Sequence, residues 1–257
     1  MIATVLCGLV LSACLVYFWQ PYRYDLFPRQ VPRTEKLIDP DSTILLHTGT
    51  RVAVVTAHPD DSEFYLAGTL TKLSRAGAEI SLILCTSGNR AYNPFKDHDT
   101  MKRTRHGEQL EAAKRYNTKE VVFLDYPDGR LSVNEEVIGK VVVELRRIQP
   151  DYLLIFDSIY PPRLSHRDHL AAGEIGERAA GQVDSWKWLM RFSTSAPNFA
   201  VDVTPVWEEI EQLLLLHKSE FDSKRDRILA LIRGQAASYG ELILVPLAEG
   251  FRCSRRP

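Results

Sequence analysis

Cysteine is scarce in this chain of 257 residues, and its four cysteines form no Cys-x-x-Cys pair. Neither a disulfide framework nor a zinc site built from thiolates is therefore indicated. An excess of charge of one sign is also lacking, because the net charge is −1 and no run of five like charges occurs. Proteins that bind nucleic acid usually carry a basic stripe, so we expect no nucleic-acid partner.

The composition is that of an ordinary globular protein, with 45% hydrophobic and 25% charged residues. The length suits one large α/β domain, or one domain with an appendage. We predict three parts. Residues 1–20 are a transmembrane or signal-anchor segment, residues 21–50 are a proline-interrupted linker and lead-in, and residues 51–257 are the folded domain.

The one long apolar stretch, residues 2–19, carries no charged side chain. This length is close to the roughly 20 residues that cross a bilayer as a helix, so it predicts a single-pass membrane anchor. Arg23, Arg29 and Arg33 follow the stretch, and the positive-inside tendency then places the domain on the cytoplasmic side. Two alternatives stay open: a cleaved secretory signal, and a lipoprotein processed at Cys14.

Short apolar runs alternate with segments of helical spacing from residue 51 onward. The runs predict buried strands at 52–56, 80–85, 121–124 and 152–156. The segments between and after them predict helices at 63–75, 103–116, 135–148 and 170–180. This alternation indicates an α/β, Rossmann-like, mainly parallel sheet with helices on both faces. Ligands of such sheets bind beyond the carboxyl ends of the strands.

The pattern is weaker after residue 180. It predicts strands at 186–194 and 199–203, and helices at 205–216 and 221–232. Residues 242–247 are interpreted as a last strand or as an extended tail on the core.

Two polar clusters follow strands of the predicted sheet. His58-Pro59-Asp60-Asp61 comes directly after the first strand, and His166-Arg167-Asp168-His169 follows the fourth. Imidazole and carboxylate groups are good zinc ligands. Helix capping is a simpler explanation for any one of the acidic residues. It does not explain why both clusters fall at the same edge of the sheet, so the pattern predicts a metal-dependent hydrolase site.

Two further motifs have simple structural interpretations. Arg105-x-x-Glu108 lies in the second predicted helix, where it could form a surface ion pair. Asp128 lies in a Pro-Asp-Gly turn after the third strand. The position of Asp128 at a strand end raises its interest as a functional residue.

Together these motifs resemble the LmbE / PIG-L family of zinc-dependent de-N-acetylases. The resemblance covers roughly residues 52–252. It rests on Ala57-His58-Pro59-Asp60-Asp61-x-Glu63, Arg105-x-x-Glu108, Leu124-Asp125-Tyr126-Pro127-Asp128-Gly129, His166-x-Asp168-His169, His217-x-Ser219 and Ala248-Glu249-Gly250-Phe251-Arg252.

The resemblance implies a role for each matched residue. His58, Asp61 and His169 match the ligands of Zn²⁺ or another divalent metal, which leave one position open for water. Asp60 matches the general base that deprotonates this water.

The remaining matched residues are assigned by the same resemblance. A protonated His166 is expected to stabilise the oxyanion and to protonate the leaving amine. Asp168 is expected to orient His166 and to raise its pKa. Arg105, Glu108 and Asp128 are candidates for substrate binding.

The expected function is removal of the acetyl group from an N-acetylglucosamine-type sugar. The predicted anchor favours a sugar that is lipid-linked or part of an envelope glycan. Two alternatives are a zinc hydrolase of another bond, such as an ester or phosphoester, and a non-catalytic, membrane-tethered carbohydrate-binding protein of the same fold.

Overall fold

The computed structural model describes residues 22–24, 49–90 and 97–256. Nine strands occur in these ranges: β1 Tyr22–Tyr24, β2 Arg51–Thr56, β3 Glu79–Thr86, β4 Glu120–Tyr126, β5 Tyr152–Phe156, β6 Leu164–His166, β7 Trp188–Phe192, β8 Phe199–Asp202 and β9 Ala248–Arg255. The same ranges contain seven α-helices: α1 Asp61–Arg75, α2 His98–Arg115, α3 Glu135–Ile148, α4 Arg167–Ala180, α5 Trp207–Leu214, α6 Lys218–Phe221 and α7 Arg225–Gly240.

Seven of the strands form one sheet in the order β4-β3-β2-β5-β7-β9-β8. All neighbouring pairs from β4 to β7 are parallel. Strand β9 runs antiparallel to both of its neighbours, β7 and β8. The predicted α/β class with a mainly parallel sheet is therefore confirmed, with one antiparallel strand that the sequence pattern did not predict.

Strand β2 lies near the middle of the sheet, and residues 52–55 of it have no solvent exposure. The chain leaves β2 for β3 and β4 on one side and then crosses back to β5 on the other. The crevice between the carboxyl ends of β2 and β5 is therefore the point where the strand order reverses, which is where doubly wound sheets bind ligands. Both polar clusters follow these two strands.

Helix α4 lies unusually close to β5. A Cβ atom added at Gly173 would come within 2.7 Å of the backbone oxygen of Phe156. Glycine at this position lets the helix approach the strand, and the first turn of α4 is thereby held beside the reversal point.

The last part of the chain differs from its prediction. Residues 242–247 are not a strand but a turn in which Leu244 has a φ of 60° and Pro246 lacks a backbone donor. The last strand is β9, directly after this turn. The helix predicted at 221–232 is displaced, because α7 extends over Arg225–Gly240.

A second, two-stranded sheet joins β1 to β6. The strands are antiparallel, with Tyr22 opposite His166 and Tyr24 opposite Leu164. A short piece of the predicted linker therefore lies beside the backbone of a predicted catalytic residue.

The membrane localisation expected from the sequence is corrected. In the three described ranges, no helix is both long enough and apolar enough to cross a bilayer. The apolar stretch on which the expectation rested, residues 2–19, lies outside those ranges, as does the predicted segment 1–20.

Candidate active site

The turn after β2 has a backbone conformation that few residues adopt. Asp60 has a φ of 115°, a region that is costly for a residue with a side chain. Its backbone N–H donates to the side-chain oxygen of Gln109 at 3.0 Å. The backbone N–H groups of Ala57 and His58 donate to one carboxylate oxygen of Asp61, at 2.9 and 2.7 Å. The turn thus fixes both carboxylates before any ligand is bound.

Three side chains from the two sequence clusters meet at this turn. Nδ1 of His58 lies 3.2 Å from Nε2 of His169 and 3.6 Å from Oδ2 of Asp61. Nε2 of His169 lies 3.0 Å from Oδ1 of Asp61. The ring of His169 stacks on Phe156, the last residue of β5, with 4.3 Å between ring centroids. The structure therefore brings together the three residues that the resemblance assigns to the metal.

The opposite edge of the His58 ring faces two other carboxylates. Nε2 of His58 lies 3.2 Å from Oδ1 of Asp128 and 3.3 Å from Oδ2 of Asp168. Burial lowers the pKa of His58, but its contacts with Asp128, Asp168 and Asp61 outweigh burial and raise the pKa well above 6.5. The cluster therefore favours positive charge at the His58 ring.

Asp168 is held by the turn that contains the Pro-Asp-Gly sequence. The backbone N–H groups of Gly129 and Leu131 donate to its carboxylate at 2.6 and 3.2 Å. Asp128, in the same turn, accepts from the backbone N–H of Arg90 at 3.0 Å. These bonds stabilise both carboxylates in their charged form, as a partner for a protonated imidazole nitrogen requires.

His166 lies among groups that act on its pKa in opposite directions. Burial and the neighbouring rings of His58 and His169 lower the pKa of His166 to about 3, although Asp168 acts in the predicted upward direction. Nδ1 of His166 accepts a hydrogen bond from the backbone N–H of Asp168 at 3.2 Å. With Nδ1 accepting and the pKa lowered, these surroundings favour the neutral imidazole with its proton on Nε2.

Asp60 points to the other side of the turn, toward α2. Its Oδ2 lies 3.0 Å from Nη2 of Arg105. Burial raises the pKa of Asp60 to about 7; Arg105 lowers this pKa, while Asp61 and Glu220 raise it. A carboxyl that titrates near neutral pH can both accept and return a proton.

Arg105 also binds the backbone around the turn. Nη1 donates to the oxygen of Gly88 at 3.1 Å, and Nη2 donates to the oxygen of Pro59. Gly88 has a φ of 61°, and a Cβ atom there would come within 2.9 Å of Nη1. Arg105 thus closes the turn between β2 and α1 over the end of β3.

Glu108, one turn further along α2, contacts the segment around α6. Its carboxylate accepts from the backbone N–H and from the hydroxyl of Ser219, at 2.8 and 2.5 Å. The predicted substrate-binding residues therefore lie in different surroundings: Asp128 contacts His58, Arg105 contacts Asp60, and Glu108 anchors a neighbouring segment.

The donor set suits a divalent metal. In the described ranges, two groups of three residues converge closely enough to hold an ion: His58 with His166 and His169, and His58 with Asp128 and Asp168. Asp61 extends the first group, since it contacts both His58 and His169. Two imidazole nitrogens 3.2 Å apart, each within 3.6 Å of one oxygen of the same carboxylate, form the mixed donor set that zinc takes in hydrolases.

Comparison with known proteins agrees with this geometry. The family described as PIG-L, GlcNAc-PI de-N-acetylase, matches residues 53–180. The chain carries a PIG-L family domain. Diacetylchitobiose deacetylase of Thermococcus kodakarensis is 27% identical over 225 residues, which is 79% of this chain and 82% of that protein. The structure of N,N'-diacetylchitobiose deacetylase from Pyrococcus horikoshii superposes with a TM-score of 0.76 at 26% identity, covering 85% of this chain and 88% of that one.

Another relative matches a shorter part of this chain. The 1D-myo-inositol 2-acetamido-2-deoxy-alpha-D-glucopyranoside deacetylase of Streptomyces avermitilis is 26% identical over 157 residues. That match spans 51% of this chain and only 52% of the Streptomyces protein. The relatives are deacetylases of N-acetylglucosamine-type substrates, and this chain is a member of that deacetylase family.

One group of residues behind the PIG-L site was not predicted from the sequence. Glu63 accepts from Nε2 of His217 at 2.8 Å, from Ser62 at 3.0 Å and from the amide of Gln109 at 3.2 Å. We call Ser62, Glu63, Gln109 and His217 the interior cluster. Glu63 and His217 lie in motifs that carry the family resemblance, and Gln109 lies one helical turn after Arg105. His217 lies outside the matched range 53–180, and no local pattern links it to Glu63.

Proposed function

We propose that this protein is a metal-dependent hydrolase that removes the acetyl group from N-acetylglucosamine-type sugars. The convergence of His58, Asp61 and His169, with Asp60 next to Asp61 in the same turn, carries the proposal. Three protein donors with an adjacent base are the arrangement of a catalytic rather than a structural metal site. The deacetylase relatives support the choice of an acetamide bond over an ester or a phosphoester.

Zn²⁺ is the proposed metal, and His58 Nδ1, Asp61 and His169 Nε2 would hold it. When bound, zinc supplies a Lewis acid that polarises the acetyl carbonyl and makes a water molecule easier to deprotonate. Nε2 of His58 would then carry a hydrogen and donate a hydrogen bond to Asp128 and Asp168. Carboxylate partners of this kind orient a ligating imidazole and increase its basicity.

The protein's own groups then move the protons. The Asp60 carboxylate accepts the proton of the attacking water, and Arg105 keeps that carboxylate in place. As the carbonyl oxygen becomes negative, the neutral His166 donates a hydrogen bond to it from Nε2. Because Nδ1 of His166 is already an acceptor, Asp60 is the group that returns the proton to the leaving amine.

The substrate class follows from the relatives, whose substrates carry the N-acetylglucosamine unit on different partners. Diacetylchitobiose and N-acetylglucosaminyl inositol are named for two of them, and N-acetyl-alpha-D-glucosaminyl L-malate for a third. We propose that the acetamide and its sugar ring are recognised here in the same way. A lipid-linked or envelope glycan carrier is a narrower form of the same proposal.

Acetate release from a panel of N-acetylglucosamine conjugates tests the proposal. The panel holds diacetylchitobiose, the malate and inositol conjugates, and a lipid-linked conjugate, each with and without a chelator. We expect acetate from at least one conjugate, loss of the activity with chelator, and recovery on adding Zn²⁺. Activity on esters or phosphoesters with no acetate from any conjugate would contradict the proposal.

A matched pair of histidine variants separates the site from general effects. His169→Ala should lose both zinc and activity, whereas His98→Ala should keep both, because His98 lies exposed at the start of α2. Zinc content and acetate release are measured on the same preparations. Equal activity in the two variants would remove His169 from the proposed metal set.

A further inference from the structure

A second carboxylate network lies at the same edge of the sheet. Asp157 directly follows β5, and its side chain has no solvent exposure. Arg252, on β9, donates to it from Nε at 2.7 Å and from Nη2 at 2.9 Å. The hydroxyl of Thr194 donates at 2.7 Å. A buried carboxylate needs such partners, and a two-pronged guanidinium contact also fixes its orientation.

The same carboxylate holds the loop that follows β5. The backbone N–H groups of Ile159 and Tyr160 donate to Oδ1 of Asp157, at 2.9 and 3.0 Å. The backbone oxygen of Tyr160 accepts from the N–H and hydroxyl of Ser195, at 2.7 and 3.1 Å. The guanidinium of Arg252 lies over the Tyr160 ring, 5.2 Å from its centroid. Arg252 therefore contacts the loop both through Asp157 and directly.

Both ends of this loop reach the site. Phe156, just before it, stacks on His169. The residue at the far end, His166, has its ring centroid 4.7 Å from that of His58. Pro161 and Pro162 lie between, and their fixed φ angles reduce the freedom with which the loop could absorb a displacement. A shift at Asp157 is therefore passed on toward His166.

We propose that Arg252 is a positioning residue: through Asp157 it holds loop 157–165 so that His166 faces the reacting carbonyl. This proposal rests on the proposed function. It assigns a role at the site to a strand outside the matched range 53–180. Arg252 acts through other residues and is not itself a catalytic residue.

The neighbouring strand supplies a matched control. Arg191, on β7, lies directly opposite Arg252 in the sheet register. It is largely buried and makes a two-pronged contact with Glu177, including Nη2 to Oε2 at 2.9 Å. This pair joins β7 to α4, and in the described part of the chain neither side chain hydrogen-bonds to loop 157–165. Breaking it should affect stability without moving His166.

The first experiment compares Arg252→Lys with Arg191→Lys in the full chain. For Arg252→Lys we expect kcat to fall by about 10-fold, within the range for a small misplacement of a reacting group. The KM and zinc content should stay within about twofold, since neither His58, Asp61 nor His169 is touched directly. Arg191→Lys should keep kcat. Equal losses of kcat in both variants would overturn the positioning role.

A double-variant cycle shows whether the effect passes through His166. In a His166→Ala background, Arg252→Lys should cause little further loss of kcat, because coupled residues are not additive. An independent loss of the full size would overturn the proposal. Where Arg252→Ala folds, millimolar guanidinium should restore part of its activity. Where it does not fold, the comparison rests on Arg252→Lys alone.

A readout without turnover separates this proposal from the proposed function. The imidazole NMR signals of His166 should shift in Arg252→Lys, whereas those of His217 should not. Unmoved His166 signals would overturn the positioning role even in an active enzyme. Shifted signals in a protein that releases no acetate would leave the positioning intact and contradict the proposed function instead.

Discussion

Residues 58–63, in the turn before α1 and in its first turn, contribute to two neighbouring clusters. The clusters have similar side chains but differ in how well their carboxylates are supplied with hydrogen-bond donors. The site cluster contains His58, Asp60 and Asp61, and the interior cluster begins with Ser62 and Glu63. Both combine carboxylates with imidazole. In the interior cluster the carboxylate has hydrogen-bond donors on both oxygens and its side chain has no solvent exposure. In the site cluster several acceptor atoms converge at the carboxyl ends of the strands, without enough hydrogen-bond donors for all of them.

This difference distinguishes buried charges that stabilise the fold from buried charges that can bind a ligand or exchange a proton. A buried carboxylate with donors on both oxygens stabilises the fold, because removing its imidazole partner would leave it without its strongest contact. A cluster with more acceptors than donors is unfavourable until a cation or a proton arrives, and such sites are candidates for function. Gln109 joins the two, since its oxygen accepts from the backbone of Asp60 and its amide donates to Glu63. Four predictions test the comparison.

The largest expected effect is that of Asp60→Asn in the site cluster. Removing a general base typically costs up to about 10⁴-fold in turnover. Because asparagine is nearly isosteric and Asp60 is not a proposed ligand, zinc content should be preserved, while loss of the charge that faces Arg105 should lower Tm. Acetate release, zinc content and Tm are measured together. Unchanged turnover would show that Asp60 is not the base.

Glu63→Ala in the interior cluster should show the reverse pattern. Breaking a buried pair by removing one partner costs about 3–5 kcal/mol of unfolding free energy. Denaturant titration of the variant measures this loss. Glu79→Ala is the control, because Glu79 forms an exposed pair with Lys119 on the surface. If the two variants were equally stable, the interior cluster would not be a stabilising element.

Asp168→Asn should have a smaller effect, on metal binding. Asp168 supports His58 from behind, and losing such a partner typically weakens metal affinity about 10–100-fold. Zinc competition titration measures this change, with Asp125→Asn as a control, since Asp125 is more exposed and pairs with Lys102. Unaltered zinc affinity would show that the carboxylate does not act through His58.

The smallest effect concerns the pH dependence of stability. Burial alone lowers the pKa of His217, but Glu63 outweighs burial and raises it above 6.5. The folded state thus holds this proton more tightly than the unfolded chain. The pair's contribution is complete below the unfolded-state value of 6.5 and is lost as pH rises through the higher folded-state pKa.

Thermal unfolding of the wild type and His217→Gln measures that contribution between roughly pH 6 and pH 9. The Tm difference should narrow as pH rises, because wild-type His217 loses its proton and with it the attraction to Glu63. His98→Gln should track the wild type throughout. A Tm difference that widened toward high pH would contradict the assigned direction.

The sequence predicted the site cluster better than the interior cluster, for a physical reason. His58 and His169 each follow a strand, and parallel strands bring their carboxyl ends to one edge without any knowledge of side-chain contacts. The partner of Glu63, in contrast, is 154 positions away at the start of a four-residue helix. Neither periodicity nor a strand-end rule connects such positions.

The protonation of His166 could not be derived from the sequence, because its pKa depends on contributions of opposite sign. The sequence shows Asp168 two positions away, which raises the pKa. Only the packed structure shows the burial and the two imidazoles that lower it further. Strand β9 was missed for a different reason: it mixes small and charged residues with a single aromatic one and lacks the apolar run that marked the central strands.

The pairing of β1 with β6 has a practical consequence for anyone who shortens this protein. The range matched by the PIG-L family begins at residue 53, and cutting there would delete the strand whose Tyr22 lies opposite His166. Ending at residue 180 would remove Arg252 as well. A piece limited to the matched range 53–180 would therefore lack residues that surround or hold His166, and its inactivity would say nothing about the catalytic residues.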